Sequence, residues 1–317
     1  MRCLLGVNIG GTKTAVVLGQ RKGDGINVAD KILFPTEGKD NTISKILSSM
    51  DALIEKHGAE VESTGIICGG PLDSKNGLIK SPPNLVGWDD VPIVRIIEDR
   101  FNVKARLQND ANACAVAEWR YGAARGYSDV VFLTFGTGMG AGLILNGRLY
   151  EGASDMAGEV GHIRLADNGP VGYGKAGSFE GFCSGGGIAQ LARTKALEVL
   201  QMGGKVGFCK GTGDLQAVTA KTVAEAAAQG DALALETYRT SGEYLGRGLS
   251  IIIDVLNPEM VVIGGIFARS RDLLCPPAEE AIRRECLSYS RNACRVVPSS
   301  LGEEIEDMAS LALAAGK

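Results

Sequence analysis

"VNIGGTKTAVVLG", residues 7–19, carries an apolar segment (Leu4, Leu5, Val7, Ile9) into a double glycine, past Thr12, Lys13 and Thr14, and out again as a second apolar segment, Ala15 to Leu18. A tight connection between two strands needs residues that tolerate positive φ, and Gly10 with Gly11 would supply them. A plain hairpin needs only two small polar residues, so the hydroxyls and the lysine exceed what a turn requires. At residue 130 the layout starts over. "VVFLTFGTGMGAGLILNGRLYEG", residues 130–152, is again an apolar strand, a glycine turn carrying Thr137, a second apolar strand and an Asn146-Gly147 turn. Two copies of one supersecondary unit predict an α/β chain of two domains of related build.

Working outward, residues 3–9, 14–19 and 26–34 read as strands, with turns at Gly10-Gly11 and around residues 22–25. Residues 42–57 place Ile43, Ile46, Leu47, Met50, Leu53 and Ile54 at helical spacing. A short strand over 64–68 ends at Gly69-Gly70-Pro71. After the proline-rich loop "SPPNLVGWDDVP" (81–92), a helix over 93–101 and a strand over 103–107 deliver the chain to "QNDANACAVAEW" (108–119). Beyond the second glycine turn come a glycine-rich loop region (168–187) and helices from 188 to about 202 and from about 222 through 256. The strand "EMVVIGG" (259–265), a short strand over 295–298 and a last helix near 303–315 complete the pattern. No low-complexity linker interrupts the chain, so the two domains are expected to be closely joined with a cleft between them. The boundaries expected are 1–112 plus 302–317 for a smaller domain and 113–301 for a larger one.

The bulk numbers fit this organisation. A chain of 317 residues with 45% hydrophobic residues and a net charge of −4 can bury a core in each of two domains. Mild acidity argues against broad nucleic-acid or membrane-surface binding, and no apolar stretch is long enough to span a bilayer. The eight cysteines are scattered singly without a Cys-x-x-Cys pair, which reads as reduced core thiols in a cytoplasmic protein. A small-molecule partner is expected.

Three clusters carry the chemistry. Gly136, Gly138 and Ala141 match a variant of the dinucleotide fingerprint, but that fingerprint must open a helix, and here the chain continues into the strand-like "GLILNGR". A strand–glycine–strand turn can still bind phosphate, because consecutive unscreened backbone N–H groups form an anion-binding concavity; Thr12, Lys13 and Thr137 add donors, and Gly264-Gly265 is a third glycine pair at a strand end. In "QNDAN" (108–112), Asp110 follows a strand and precedes a helix. Position alone favours an N-cap for it, while a carboxylate at a strand end is also where a general base would stand. "GEVGHIRL" (158–165) and "GSFEGFCSGGG" (177–187) set Glu159, His162 and Glu180 among glycines, a polar group suited to several hydroxyls at once. His57, beside Gly58, reads as a helix end.

Taken together, "GVNIGGTKTAVVLG", "GGPLDSKNGLIKSPPNLVGW", "QNDANACAVAEW", "FGTGMGAGLILNGRLYEG", "GEVGH" and "LNPEMVVIGG" resemble the ROK family (repressors, open reading frames and sugar kinases) of the hexokinase and actin-like ATPase fold, from residue 4 to the C-terminus. The resemblance implies two actin-like (ribonuclease H-like) domains and ATP-dependent transfer of the γ-phosphate to a hexose, with Mg²⁺. It implies that Gly10, Gly11, Thr12, Lys13, Thr137 and Gly138 face the ATP phosphates and that Gly264 and Gly265 face the nucleotide. Asn109, Glu159, His162 and Glu180 match sugar-holding positions, and Asp110 matches the catalytic base, which reverses the reading from position alone.

Two departures stand out. Asn8 occupies a position where most of the family carries an aspartate that helps place Mg²⁺ through water. In the stretch "VGYGKAGSFE" (171–180), Val171, Tyr173 and Ser178 replace the three cysteines of the family's structural zinc site, so no structural zinc is expected, and Tyr173 is the candidate to orient His162. A DNA-binding regulator is disfavoured because nine residues precede Gly10. A non-catalytic sugar-binding protein is the more serious rival, with Asp110 and both phosphate turns arguing for the kinase. Glucose is the first substrate expected, N-acetylmannosamine the second, and family members are commonly homodimers.

Overall fold

The computed structural model describes residues 2–316. The chain divides into two compact units, one made of the residues up to Phe132, Gly142–Ala157 and the stretch from Ser300 onward, the other of Leu133–Ala141 and Gly158–Ser299.

The first unit is built on a sheet of β1 (Arg2–Ile9), β2 (Lys13–Lys22), β3 (Gly25–Pro35), β4 (Glu60–Cys68) and β5 (Lys104–Asn109), in the order β3-β2-β1-β4-β5. β2 runs antiparallel to β1 and β3, and β4 and β5 follow β1 in parallel. β1 lies in the middle and is buried on both faces, hence its unbroken apolar run. Cys3, Leu5, Val7 and Ile9 share one core with Ile46, Met50 and Leu53 of α1 (Lys39–His57) and Ile97 of α2 (Ile93–Phe101). Leu4, with Ala15 and Val17 of β2, points the other way and meets Leu311 and Ala314 of the C-terminal helix (Ile305–Ala315, α8 below). That helix lies close to the sheet because Gly6 and Gly65 leave room for it. A Cβ on Gly65 would run into the Ser310 carbonyl oxygen and stand 2.6 Å from the Ala314 nitrogen. α1 ends, as expected, at His57, with Gly58 in the left-handed conformation.

The second sheet contains β6 (Val130–Phe135), β7 (Met139–Leu145), β8 (Arg148–Leu149), β9 (Met260–Ile263) and β10 (Arg295–Pro298), in the order β8-β7-β6-β9-β10. This is the order of the first sheet, strand for strand, so the repeat read at residue 130 is a repeat of topology. The β7–β8 hairpin turns on Asn146 (φ 52°) and Gly147 (φ 68°), the pair of positive φ values that a type I′ turn requires.

Helices α3 (Asp110–Tyr121), α4 (Gly185–Gln201), α5 (Ala220–Ala228), α6 (Ala232–Leu256), α7 (Arg271–Glu285) and α8 (Ile305–Ala315) complete the framework. The helical stretch expected over 222–256 is two helices. Gly230 turns the chain at φ 84°, and Asp231 caps α6, accepting from the Ala234 N–H at 2.8 Å. α7 contains Pro276 and Pro277 and packs against α6 at Gly242, where an added Cβ would stand 2.5 Å from Cγ of Pro277. The cysteines are free thiols, most of them buried. Among the described residues no helix is long and apolar enough to cross a membrane. The architecture is mixed α/β, with two five-stranded sheets of one strand order and their helices.

Candidate functional site

In the first unit, the ends of three parallel strands set out the candidate groups. Ile9 pairs with Cys68 and Cys68 with Asn109, so β1, β4 and β5 finish side by side. The residues after β1 and after β5 therefore leave the same sheet edge, two strand spacings or about 10 Å apart. This is the edge where open α/β sheets bind ligands. The Gly10–Lys13 turn closes through the Gly10 N–H on the Lys13 carbonyl at 3.1 Å. Neither glycine has positive φ, which corrects the reason given for them above: they serve close approach. A Cβ on Gly11 would lie 2.8 Å from Asn84 Cβ and 2.9 Å from its carbonyl oxygen, and one on Gly10 would lie 2.9 Å from the Lys13 oxygen. Thr12 and Lys13 are exposed.

Thr36, just past β3, ties this turn down. Its hydroxyl donates to the Gly10 carbonyl at 2.7 Å and lies 2.9 Å from the buried Thr14 hydroxyl, while its N–H donates to the Thr12 carbonyl at 3.1 Å. Sequence reading did not single out Thr36, since it lies 26 residues from Gly10.

At the end of β5 the helix cap is Asn109, one residue earlier than position alone suggested for Asp110. The Asn109 side-chain oxygen accepts from the N–H groups of Ala111 (3.0 Å) and Asn112 (3.4 Å). Asp110 is thereby released from capping and becomes the first helical residue, its carboxylate accepting from the adjacent Ala111 N–H at 2.7 Å. The cap is braced from behind. Gln108 accepts from the Asn109 N–H (2.8 Å) and from the Asn112 amide (3.1 Å), and donates to Glu151 at 2.7 Å. The Asp110 side chain reaches solvent, yet the protein crowded around it strips away hydration and raises its pKa above the ordinary carboxylate value. The Ala111 N–H opposes this, and the negative charge of Glu306 adds to it. The thiol of Cys68 is pushed up to about 12 by burial and, secondarily, by the Asp110 charge.

In the second unit the other candidates gather around the β6–β7 turn. The Gly136 N–H closes the turn on the Gly138 carbonyl at 3.0 Å, and Thr137 is exposed at its tip. The Glu180 carboxylate accepts from the Met139 N–H at 3.0 Å, and a Cβ on Gly138 would come within 2.7 Å of it. Glu159 and His162 are exposed on a single helical turn around Val160–His162. That turn packs against β7: a Cβ on Gly161 would strike the Met139 carbonyl and lie 3.3 Å from Glu180 Cβ. Gly264 donates to the Leu133 carbonyl at 2.9 Å, so Gly264-Gly265 ends β9 next to the turn that follows β6. Gly265 takes φ 64°.

The N-terminus of α4 completes this half. Ser184 caps it, accepting from the Gly187 N–H at 3.0 Å, and the Gly185 N–H donates to the Gly136 carbonyl at 2.8 Å. The sequence reading placed this stretch in a loop and began the helix at Ile188. "SGGG" is a capping serine followed by residues without side chains, which lets a helix N-terminus approach the turn closely.

Tyr173 does not hydrogen-bond His162. Their rings meet edge-on with centroids 6.5 Å apart, and Tyr173 is 75% exposed. Lys175 instead donates to the His162 carbonyl at 2.7 Å. The loop at 171–178 is held by Gln190, whose side chain exchanges bonds of 3.0 and 2.9 Å with the Val171 backbone, and by Ser178, which accepts from the Gly181 N–H at 3.1 Å.

Two sheets of one strand order, each with a glycine turn after its first strand, fit the actin-like ATPase fold, and comparison with other proteins agrees. The chain is 31% identical over 302 residues to the glucokinase of Thermotoga maritima, covering 95% of this chain and 93% of that one. It is 33% identical over 267 residues to an N-acetylmannosamine kinase of Shigella boydii, covering 82% of each. The solved structure of a ROK family glucokinase from Streptomyces griseus in complex with glucose and AMPPNP superposes with a TM-score of 0.79 at 28% identity, covering 99% of this chain and all of that one. The model of the ROK family matches residues 4–316, and the chain belongs to that family.

Proposed function

We propose that this protein is an ATP-dependent hexose kinase that transfers the γ-phosphate to a sugar hydroxyl, with glucose as the first substrate. The observation that carries the reading is Asp110. It stands at the C-terminal edge of the parallel strands, relieved of capping by Asn109, on the same edge as the Gly10–Lys13 turn. A pure binding protein has no use for such a carboxylate. Kinship with glucokinases over nearly the whole chain supports the same reading.

In this mechanism the Asp110 carboxylate takes the proton of the attacking hydroxyl as that oxygen bonds to the γ-phosphorus and ADP leaves. Its raised pKa makes it a stronger base than an ordinary aspartate. Asn109, Glu159, His162 and Glu180 hold the sugar hydroxyls. The N–H groups and side chains of Gly10, Gly11, Thr12, Lys13, Thr137 and Gly138 bear on the phosphates, and Gly264 and Gly265 on the nucleotide. Mg²⁺ would come with ATP, held chiefly by its phosphates, and would supply positive charge there. We place the enzyme in the cytoplasm as a homodimer.

The test is coupled ADP release from Mg-ATP against a panel of hexoses and N-acetylhexosamines, with Asp110→Asn in parallel. Sugar-dependent turnover that collapses in the variant is the expected result. If no sugar supports turnover while one of them raises the melting temperature, the protein is a sugar binder and the kinase assignment falls. N-acetylmannosamine belongs in the panel because a kinase of that sugar is among the relatives.

A further inference from the structure

Asn8 is the penultimate residue of β1, beside the Gly10–Lys13 turn, and its side-chain nitrogen donates to a Glu306 carboxylate oxygen at 2.7 Å across 298 residues of sequence. The bond fixes which way the amide points, since the opposite flip would set two oxygens against each other. The Asn8 side-chain oxygen is thus held as an acceptor beside the Glu306 carboxylate. Glu306 lies in the first turn of α8, where a negative charge favours the helix whatever its direction. Direction is what separates it from its neighbour Asp307, which is bound through both oxygens to Lys31 of β3 at 2.7 Å. Glu306 alone is tied to the end of β1, and it is near enough to Asp110 for its charge to be felt there.

The donors on this edge are all oxygens: the Glu306 carboxylate, the Asn8 amide oxygen and the Asp110 carboxylate. Such a set suits a hydrated Mg²⁺, which keeps most of its waters and is held by one or two carboxylates together with substrate phosphates. Among the described residues no three His, Cys, Asp or Glu gather so as to hold a metal ion by themselves, in keeping with an ion that enters on the nucleotide. Asp110 must stay available to accept the substrate proton, which leaves the carboxylate of Glu306 for the ion's water shell.

We propose that Glu306 is a positioning residue of phosphoryl transfer: oriented by Asn8, it anchors the water shell of the divalent ion that arrives with the nucleotide. The inference rests on the kinase reading. It also explains how a chain with an amide at position 8 keeps a negative charge at this edge, since the carboxylate comes from α8 instead of β1.

The experiment measures binding of ADP with Mn²⁺, followed by the paramagnetic resonance of free Mn²⁺, and of ADP alone in chelator, for four proteins: wild type, Glu306→Gln, Asn8→Asp and the double exchange Asn8→Asp/Glu306→Gln. The double exchange keeps one carboxylate and one amide and swaps their places. Glu306→Gln is expected to weaken Mn–ADP binding about tenfold, the lower end of what outer-shell partners of a metal contribute, and to leave metal-free ADP unchanged. The double exchange is expected to recover most of the loss. The proposal is overturned if Glu306→Gln binds Mn–ADP as wild type does, if metal-free ADP weakens equally, or if the double exchange recovers nothing. Those results, with wild type still phosphorylating sugar, leave the kinase reading standing. A wild type that neither binds Mn–ADP nor phosphorylates any sugar removes both.

Discussion

Thr36→Val tests whether the first glycine turn is shaped for phosphate. The exchange is close to isosteric, so it opens no cavity, and the N–H that donates to Thr12 remains. It deletes the hydroxyl bond to the Gly10 carbonyl at 2.7 Å and leaves the Thr14 hydroxyl, which is fully buried, without its partner at 2.9 Å. The first loss is worth about 1 kcal/mol and the second about 1–3 kcal/mol, because an orphaned buried hydroxyl bears its desolvation cost uncompensated. A total of about 2–4 kcal/mol lowers the melting temperature by roughly 5–15 °C for a unit of this size. The Gly10 bond acts on the turn itself, and about 1 kcal/mol of lost preorganisation raises KM for ATP roughly fivefold while KM for the sugar stays constant. The double variant Thr14→Val/Thr36→Val removes both hydroxyls and should recover about 1 kcal/mol of stability without recovering KM for ATP. A fall in melting temperature with KM for ATP unchanged would refute the phosphate role of the turn. No change in either quantity would refute the bonding argument itself.

Further outcomes are expected at Asp110, Glu118 and Gly65. Asp110→Asn lowers kcat by about 10²–10⁴-fold with both KM values nearly constant. Wild-type kcat/KM falls as pH drops through the raised pKa of this group. A carboxyl whose pKa is higher folded than unfolded favours the fold only while protonated, and that contribution is lost as pH rises through the folded value. Asp110→Asn therefore melts above wild type at pH 8, by a margin that shrinks toward acid; thermal scans at several pH values check the sign. Glu118→Ala removes a buried carboxylate that accepts from the Ala123 N–H (2.7 Å), the Leu301 N–H (3.0 Å) and the Ser300 hydroxyl (3.2 Å), and should cost about 3–5 kcal/mol in urea unfolding. Gly65→Ala drives a methyl into the backbone of α8 and should cost about 3 kcal/mol, the upper end for overpacking; a melting temperature within 2 °C of wild type, roughly the effect of half a kcal/mol, would contradict the packing described.

Strands were legible where alternation or a continuous apolar run is dictated by burial, as in residues 3–9, and the second sheet was legible because its turn signals recur at Gly136 and at Asn146-Gly147. α7 went unread since Pro276 and Pro277 break helices by local rules, yet it packs against α6 at Gly242. The α4 N-terminus was hidden by low helix propensity in "GGG", which proximity to Gly136 outweighs. In the site, residue types could be read but partners could not: Gln108 braces the cap through Glu151, 43 residues on, and Asn8 reaches Glu306. Such bonds follow from topology, which no local window contains. The cap at Asn109 fell one residue from the reading because Asn and Asp are equally good caps, and only backbone geometry chooses between them.

The placement of α8 also bears on how the chain is made. The sheet face formed by Leu4, Ala15 and Val17 is covered by residues synthesised about 300 positions later. At 5–20 residues per second that face waits roughly 15–60 s on the ribosome for its helix. This sheet, made well before α8, is thus among the last parts to be completed, and until then its apolar face is a target for chaperones. Nascent chains stalled before residue 305 should be cut by protease within β1–β5 while the released protein resists, and the first unit matures only once translation has passed α8.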